Sequence, residues 1–186
     1  MITIVSGIPR SGTSLMMQML SAGGLPLLTD DLRLPDQSNP RGYCEWAPVK
    51  SLARAPEVID TAEGKVVKVV SWLLPVLPTQ HQYRVIFMCR PLEEIVASQD
   101  KMLERMGKTA PDKPKESFID FQKHLNHIRG WLAKQPNIEV LYVEYASILA
   151  NPQQIANTVS AFLKKKLDVE NMSHQVDESL YRERSL

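Results

Sequence analysis

The sequence predicts an α/β fold of three layers, in which a central, mostly parallel sheet is flanked by helices. Short apolar segments typical of buried parallel strands lie near residues 2–6, 66–70, 84–89 and 138–143. Segments with helical periodicity alternate with them near residues 13–22, 45–54, 92–106, 116–134 and 153–165. Strands that alternate with helices form parallel sheets, and ligands bind beyond the carboxyl ends of such strands. We expect a strand order of 2-3-1-4, with the first strand inside the sheet, and a single domain over residues 1–186.

The composition is that of an ordinary globular domain. Of the 186 residues, 44% are hydrophobic and 23% are charged, and the net charge is +1. A nearly neutral chain has no broad basic field to attract nucleic acid, and no apolar run approaches the roughly 18 residues of a membrane span. The two cysteines show no disulfide pattern, and the first motif begins at residue 7, too early for a signal peptide. We therefore expect a cytoplasmic protein without nucleic-acid or membrane partners.

The first predicted strand runs directly into the segment GIPRSGTS, from Gly7 to Ser14. The glycines at its first and sixth positions let the backbone bend around an anion, and the helix that begins at Thr13 directs its N–H groups at the same anion. This is the frame of a P-loop, GxxxxGK[ST], with Thr13 in the position of the lysine and Arg10 as the basic residue.

The missing lysine changes which phosphates the loop suits. In nucleoside triphosphate enzymes this lysine holds the β- and γ-phosphates. A loop without it still binds a 5′-phosphate but is less suited to ATP or GTP chemistry. The residues predicted to bind the phosphate are Gly7, Pro9, Arg10, Ser11, Gly12, Thr13 and Ser14.

A second basic residue follows the third predicted strand. Arg90 stands at the carboxyl end of this strand, Pro91 suits the first position of a helix, and Glu93 and Glu94 suit its first turn. Ser98 lies about two turns, roughly 10 Å, along the same helix. A guanidinium at the strand end and a hydroxyl on the helix flank suit one further phosphate. The alternative is an arginine solvated at a strand end and a serine that packs.

Together the two elements resemble the sulfotransferase family. Its members bind 3′-phosphoadenosine 5′-phosphosulfate (PAPS) with a loop of the type PKSGT or PRSGT, and bind the 3′-phosphate with an arginine and a serine eight residues apart. Residues 9–13 and the pair Arg90 and Ser98 match both patterns. The segment YASILANP, residues 145–152, resembles the family's YEDLxxxP, and KVVSWLLPVLP, residues 68–78, stands in the place of a KTH…LP stretch. The nearer relatives by motif are bacterial and Golgi-type PRSGT sulfotransferases, and the resemblance spans about residues 2–165.

The resemblance implies an enzyme that moves a sulfuryl group from PAPS to a hydroxyl or amine of a small-molecule or glycan acceptor, with no metal required. It implies that the P-loop binds the 5′ end of PAPS, that Arg90 and Ser98 bind the 3′-phosphate, and that Tyr145 contributes to the donor site. The departures from the family concern the acceptor side. Val70 stands where the cytosolic hormone and phenol sulfotransferases carry a catalytic histidine, and their late KxGxxGxWK segment is missing.

Three residues are the candidates for catalysis. Arg10, with the backbone of residues 11–14, would stabilise the bridging oxygen and the leaving phosphate. Lys68 matches the lysine of the family's KTH stretch and interrupts an apolar strand. The alternative to a role in catalysis is that its side chain snorkels into solvent at the sheet edge. Glu45 follows the run NPRGYC and enters a predicted helix. It is the first choice for the base, and its alternative is a carboxylate that satisfies the helix dipole.

Other acidic and imidazole groups are weaker candidates. Asp30 and Asp31 form an acidic pair in the preceding loop, where adjacent aspartates are usually solvated, and His81 sits in a polar turn. His124 and His127 share a helix face without accompanying Cys or acidic ligands, so no metal site is expected.

Two other functions compete with sulfuryl transfer. A P-loop kinase or NTPase would need a lysine in the loop and an acidic residue at a strand end, and Glu144 is the only acid so placed. The third function is that of a protein that binds a nucleotide without catalysis. The sequence assigns neither the identity of the acceptor nor an oligomeric state.

Overall fold

The computed structural model describes residues 1–30, 32–37, 39–105, 107, 114–177 and 179, with the backbone alone for 114–117. The strands are β1 (Ile2–Gly7), β2 (Val66–Lys68), β3 (Tyr83–Cys89) and β4 (Ile138–Glu144). The α-helices are α1 (Thr13–Ala22), α2 (Leu92–Arg105), α3 (Pro114–Leu132), α4 (Tyr145–Ala150), α5 (Pro152–Leu163) and α6 (Val169–Ser173). Short 3₁₀ helices span Ala47–Ser51, Pro56–Ala62 and Ser71–Val76. Within the described ranges, none of the helices combines the length and the apolarity that crossing a bilayer requires.

The described strands form one parallel sheet in the order β2-β1-β3-β4. This confirms the α/β fold with a central parallel sheet, and β1 lies inside the sheet as predicted. The predicted order 2-3-1-4 is wrong, because β1 pairs with β2 on one side and with β3 on the other. The order of parallel strands depends on pairing between distant segments and on the path of the crossovers, which no local pattern encodes.

The helix predicted near residues 45–54 is also wrong. The segment forms the 3₁₀ helix Ala47–Ser51, with a proline in its first turn. A second proline, Pro56, begins the next 3₁₀ helix, so the stretch between them is too short for a regular α-helix. Helices α4 and α6, which the sequence did not predict, have 6 and 5 residues, too few to leave a periodic pattern. The predicted helix 92–106 ends with Met106, which lies outside the described residues.

The sheet separates two apolar cores, because side chains alternate along each strand. On β3, Val85 and Phe87 belong to one core, whereas Ile86 and Met88 belong to the other. The 3₁₀ helices and α3 cover the first core, and α1, α5 and α6 cover the second. Every residue of β1 is buried between these layers.

The carboxyl ends of β1, β2 and β3 meet at one edge of the sheet. Val5 is in register with Lys68, and Gly7 is in register with Met88. Lys68, the loop after Gly7 and Arg90 just beyond β3 therefore lie at the same edge, where ligands of parallel sheets bind.

We predict that Ile4→Ala lowers the free energy of unfolding by about 2–5 kcal/mol, because Ile4 is fully buried at the centre of β1 and the substitution leaves a cavity. Urea denaturation followed by circular dichroism measures this loss. The matched control is Ile119→Ala on α3, where the isoleucine is 49% exposed; its effect should stay within about 0.5 kcal/mol. Equal losses in the two variants would contradict the core position of β1.

Candidate functional site

The P-loop, residues 7–14, leaves no space for side chains at its two glycines. Gly7 and Gly12 have φ angles of 149° and 97°. A Cβ atom at Gly7 would lie 2.5 Å from Ser11 Oγ, and one at Gly12 would lie 2.5 Å from the ring of Tyr145. The winding of the loop and the close packing around it therefore both require glycine at these positions.

The P-loop leads into the N-terminus of α1, where no side chain caps the first N–H groups. Such groups attract anions. Ser11 is fully buried, and its Oγ has no hydrogen-bond partner within the described part of the chain. A buried hydroxyl without a partner is uncommon. Both features fit an anion bound inside the loop.

Arg10 joins the P-loop to α2. Its Nε donates a hydrogen bond to Ser98 Oγ at 3.0 Å, so the two motifs of the sequence are in direct contact. Arg10 has a φ of 75°, a left-handed conformation that is unfavourable for a residue with a Cβ. Burial lowers the pKa of its guanidinium, which remains protonated at neutral pH.

Arg90 also contacts the P-loop. Its Nη1 donates to the backbone carbonyl of Arg10 at 3.1 Å, and its guanidinium carbon lies 4.9 Å from the centre of the Tyr145 ring. Its Nε donates to Glu94 Oε2 at 2.8 Å. From the sequence we expect Arg90 and Ser98 to bind one phosphate together. In the structure Ser98 contacts Arg10 instead, and the shared phosphate stays a prediction.

Lys68 brings its ammonium group to the P-loop. Its Nζ donates to Ser14 Oγ at 2.9 Å and to the carbonyl of Tyr43. Burial lowers the pKa of Lys68 to about 8, although the nearby Cys44 and Glu45 oppose the shift. The lysine is buried rather than snorkelling into solvent. The charge that a P-loop lysine would supply from the position of Thr13 therefore comes from β2.

Ser14 Oγ connects three parts of the chain. It accepts hydrogen bonds from Lys68 Nζ and from Asn39 Nδ2, both at 2.9 Å. It donates to the carbonyl of Tyr43 at 3.3 Å. The segment 39–45 is thus fastened over the start of α1, which brings Glu45 to the P-loop side of the sheet.

Glu45 is held by Arg33, a residue that the sequence analysis did not select. Arg33 Nη1 lies 3.0 Å from Glu45 Oε1, and the Arg33 guanidinium carbon lies 3.4 Å from the centre of the Tyr43 ring. The hydroxyl of Tyr43 donates to Asp36 Oδ2 at 2.8 Å. The helix that follows Glu45 is the 3₁₀ helix Ala47–Ser51, whose N-cap is Trp46, and the Glu45 carboxylate pairs with Arg33 just before it.

Asp30, the first residue of the predicted acidic pair, has a structural role. The carboxylate of Asp30 accepts hydrogen bonds from the backbone N–H groups of Ala47 and Leu32. These contacts shape the loop and the start of the 3₁₀ helix, and Asp30 is not among the residues that line the cavity described below. Asp31 lies outside the described residues.

His81 and His124 are each engaged with another side chain. His81 pairs with Asp60 at 2.6 Å, and His124 Nε2 lies 2.8 Å from Ser71 Oγ while its ring stacks on Trp72. Neither histidine lines the cavity. In the part of the chain that the structure describes, no three His, Cys, Asp or Glu residues are grouped as metal ligands would be.

The P-loop opens into a cavity of about 400 Å³, which is within the usual range of small-molecule sites. All the residues that the sequence analysis selected for donor binding and catalysis line it, except Ser11, which is fully buried. The carboxylates in the described wall are Glu45 and Asp177. Basic side chains are more numerous, and they include Arg10, Arg33, Lys68, Arg90, Lys101 and Arg105. The wall therefore suits a ligand with several negative charges.

One part of the cavity wall is formed by two segments that are far apart in the chain. Arg41 Nη1 donates to the backbone carbonyl of Gln175 at 2.6 Å, and its Nη2 lies 3.3 Å from Asp177 Oδ2. Gln175 and Asp177 both line the cavity. The segment after α6 is thus held beside the loop that precedes β2.

Several of these contacts escaped the sequence analysis. Arg33, Asn39 and Tyr43 lie in or beside an irregular loop, where no spacing rule marks a residue as pointing to the cavity. The contact of Glu94 with Arg90 was predictable, because the two residues are four apart, the spacing of ion pairs on helices.

The solved structures that are similar to this chain include two sulfotransferases. Mouse sulfotransferase SULT7A1 complexed with PAP aligns with a TM-score of 0.57 and 15% identity, over 96% of this chain and 63% of the mouse chain. The sulfotransferase domain from the curacin biosynthetic pathway aligns with a TM-score of 0.55 and 14% identity, over 95% of this chain and 78% of that domain. At such identities the likeness concerns the fold. The chain thus spans about 63% of the length of the mouse protein.

Comparison of the sequence with family models identifies the family of the chain. Among curated protein sequences, none matches the chain significantly. The family model described as the sulfotransferase domain, however, matches residues 2–185, which is nearly the whole chain. Together with the parallel sheet and the P-loop at its edge, this match shows that the chain belongs to the sulfotransferase family.

Proposed function

We propose that the chain transfers a sulfuryl group from PAPS to a hydroxyl or amine of a small-molecule or glycan acceptor. The observation that best supports the proposal is the position of Lys68. Its ammonium group contacts Ser14 of a P-loop that has no lysine of its own. In P-loop NTPases the corresponding hydroxyl binds Mg²⁺. A hydroxyl that accepts a hydrogen bond from an ammonium group is poorly placed to bind a divalent cation, because the two positive charges repel each other.

The position of Glu144 also argues against the alternative function of a kinase or NTPase. Glu144 is the last residue of β4, where it interacts with Cys89, and it does not line the cavity. Burial and this carboxylate raise the pKa of the Cys89 thiol. Glu144 is therefore not positioned to hold a metal ion beside the P-loop.

The residues of the site fit PAPS at both of its charged ends. The uncapped N–H groups of α1, the buried hydroxyl of Ser11 and the side chain of Arg10 suit the 5′-phosphosulfate. Arg90 and Ser98 both line the cavity, each in contact with Arg10, and suit the 3′-phosphate. The similar mouse structure is a complex with PAP, which also supports this choice of donor.

In this proposal PAPS supplies the sulfuryl group, and the chain supplies position, charge and a base. An acceptor oxygen or nitrogen forms a bond to sulfur as the bond between sulfur and the bridging phosphate oxygen breaks. Lys68, Arg10 and the N–H groups of α1 stabilise the charge that develops on the leaving phosphate. Glu45 takes the acceptor proton, and Arg33 fixes the orientation of its carboxylate.

The donor is tested by thermal unfolding with added nucleotides. We expect 3′-phosphoadenosine 5′-phosphate (PAP) to raise the melting temperature more than AMP or ATP with Mg²⁺, because a ligand stabilises the state that binds it. Arg10→Ala should abolish this shift, whereas Arg54→Ala, at an exposed position, should retain it. A larger shift with ATP and Mg²⁺ would favour a kinase or NTPase. A shift with PAP, but no sulfated product from PAPS with any acceptor of a hydroxyl and amine panel, would favour a nucleotide-binding protein.

We predict that affinity for PAP falls as the pH rises through the pKa of Lys68, which is about 8. Below this pH the ammonium is charged and attracts the phosphate. Above it the lysine is neutral, so affinity should fall by up to about tenfold per pH unit. Isothermal titration between about pH 7 and about pH 9 measures the change. The control is Lys68→Arg, which keeps its charge over this range and should give a flat profile. A flat profile in the unsubstituted protein would exclude Lys68 from phosphate binding.

We predict that Glu45→Gln lowers kcat by about 10²- to 10⁴-fold, because the amide cannot accept the acceptor's proton. The affinity for PAP should be unchanged, since the base acts on the acceptor rather than on the donor. Sulfated product is measured with PAPS and an acceptor identified from the panel. The control is Glu57→Gln, at an exposed position on the 3₁₀ helix Pro56–Ala62. Full activity of Glu45→Gln would assign the base to another group.

A further inference from the structure

We infer that Glu94 is a positioning residue, which keeps the P-loop in its anion-binding shape by orienting Arg90. Nothing in the family resemblance assigns a role to this residue, and Glu94 does not line the cavity. The inference rests on the proposed function only in so far as the P-loop binds an anionic group.

The ion pair between Glu94 and Arg90 is buried. The side chain of Glu94 is 3% exposed and that of Arg90 is 8% exposed. Taking two charges out of water is costly, and apolar residues of similar size often serve stability equally well. A buried pair at the edge of a binding cavity is better explained by the geometry that it imposes on its members.

That geometry is transmitted by the planar guanidinium of Arg90. Glu94 Oε2 holds Nε at 2.8 Å, and a planar group fixed at one nitrogen has little freedom at the others. Nη1 of the same group donates to the backbone carbonyl of Arg10 at 3.1 Å. Glu94 therefore determines where Arg90 holds the P-loop.

The carbonyl that accepts from Arg90 belongs to Arg10, whose backbone is in the left-handed region. Arg10 has a φ of 75°, which a side chain with a Cβ disfavours, and strained backbone persists only where its surroundings fix it. The Arg90 guanidinium also lies over the Tyr145 ring, which packs against Gly12. Arg90 thus contacts the loop at Arg10 directly and at Gly12 through Tyr145.

The electrostatic balance supports a positioning role. Glu94 is negatively charged, as the ligand is, so it adds no attraction of its own for an anion. Its contribution is to keep the loop N–H groups convergent before the ligand arrives, which lowers the cost of ordering them on binding.

The test measures affinity for inorganic pyrophosphate and for PAP by isothermal titration, with the melting temperature of each ligand-free variant recorded separately. Glu94→Leu removes the hydrogen-bond acceptor and should weaken both affinities by about 10- to 100-fold, the loss found when groups that orient metal ligands are removed. Glu94→Gln keeps an acceptor oxygen at the same reach without the charge, and should weaken them by only about three- to tenfold. The matched control is Glu93→Gln, an exposed acid in the same turn of α2, which should bind like the unsubstituted protein.

A double-substitution cycle shows whether Glu94 acts through Arg90. In an Arg90→Met background, Glu94→Leu should change the affinity for pyrophosphate by less than about twofold, because the group that it orients is gone. An unchanged affinity in Glu94→Gln and Glu94→Leu would overturn the inference. So would an undiminished effect of Glu94→Leu in the Arg90→Met background.

The test still gives a result if Glu94→Leu does not fold or if the proposed function fails. If Glu94→Leu does not fold, Glu94→Gln alone decides, and an affinity within about twofold of the unsubstituted protein overturns the inference. The proposed function fails separately, when the unsubstituted protein does not distinguish PAP from AMP. The pyrophosphate series still reports on Glu94 in that case.

Discussion

The parallel pairing of β1 with β2 on one side and β3 on the other is the constraint on which the site depends. Val5 is in register with Lys68, and Gly7 is in register with Met88. These registers fix the ends of three strands at one edge, so that the P-loop, Lys68 and Arg90 emerge side by side. A strand order in which β3 lay between β1 and β2 would have separated Lys68 from Ser14.

The sequence predicts the local parts of this arrangement well. The P-loop from Gly7 to Ser14 and the strand, turn and helix around Arg90 are short, continuous motifs, and both meet at one cavity in the structure. The strand order was mispredicted because each strand reads alike as a short apolar run. Its neighbours are decided by contacts between residues that are far apart in the chain. The positions of loop side chains are harder still to predict. Arg33 and Tyr43 line the cavity only because of the path that an irregular segment takes.

The source of positive charge distinguishes this P-loop from that of a nucleoside triphosphatase. The loop position occupied by Thr13 supplies no charge, and Lys68 supplies it from the neighbouring strand. A lysine mounted on a strand is held by the sheet as well as by its hydrogen bonds, whereas a loop lysine moves with its loop. Burial lowers the pKa of Lys68 to about 8, which is a consequence of mounting the charge inside the fold.

The contact of Arg41 with Gln175 and Asp177 has a consequence for the order in which the protein is made. It joins a loop from the first quarter of the chain to a segment near residue 177, and both segments form the wall of one cavity. During translation the nascent polypeptide therefore exposes its P-loop long before that wall is finished. The wall is complete only once Asp177 has emerged from the ribosome.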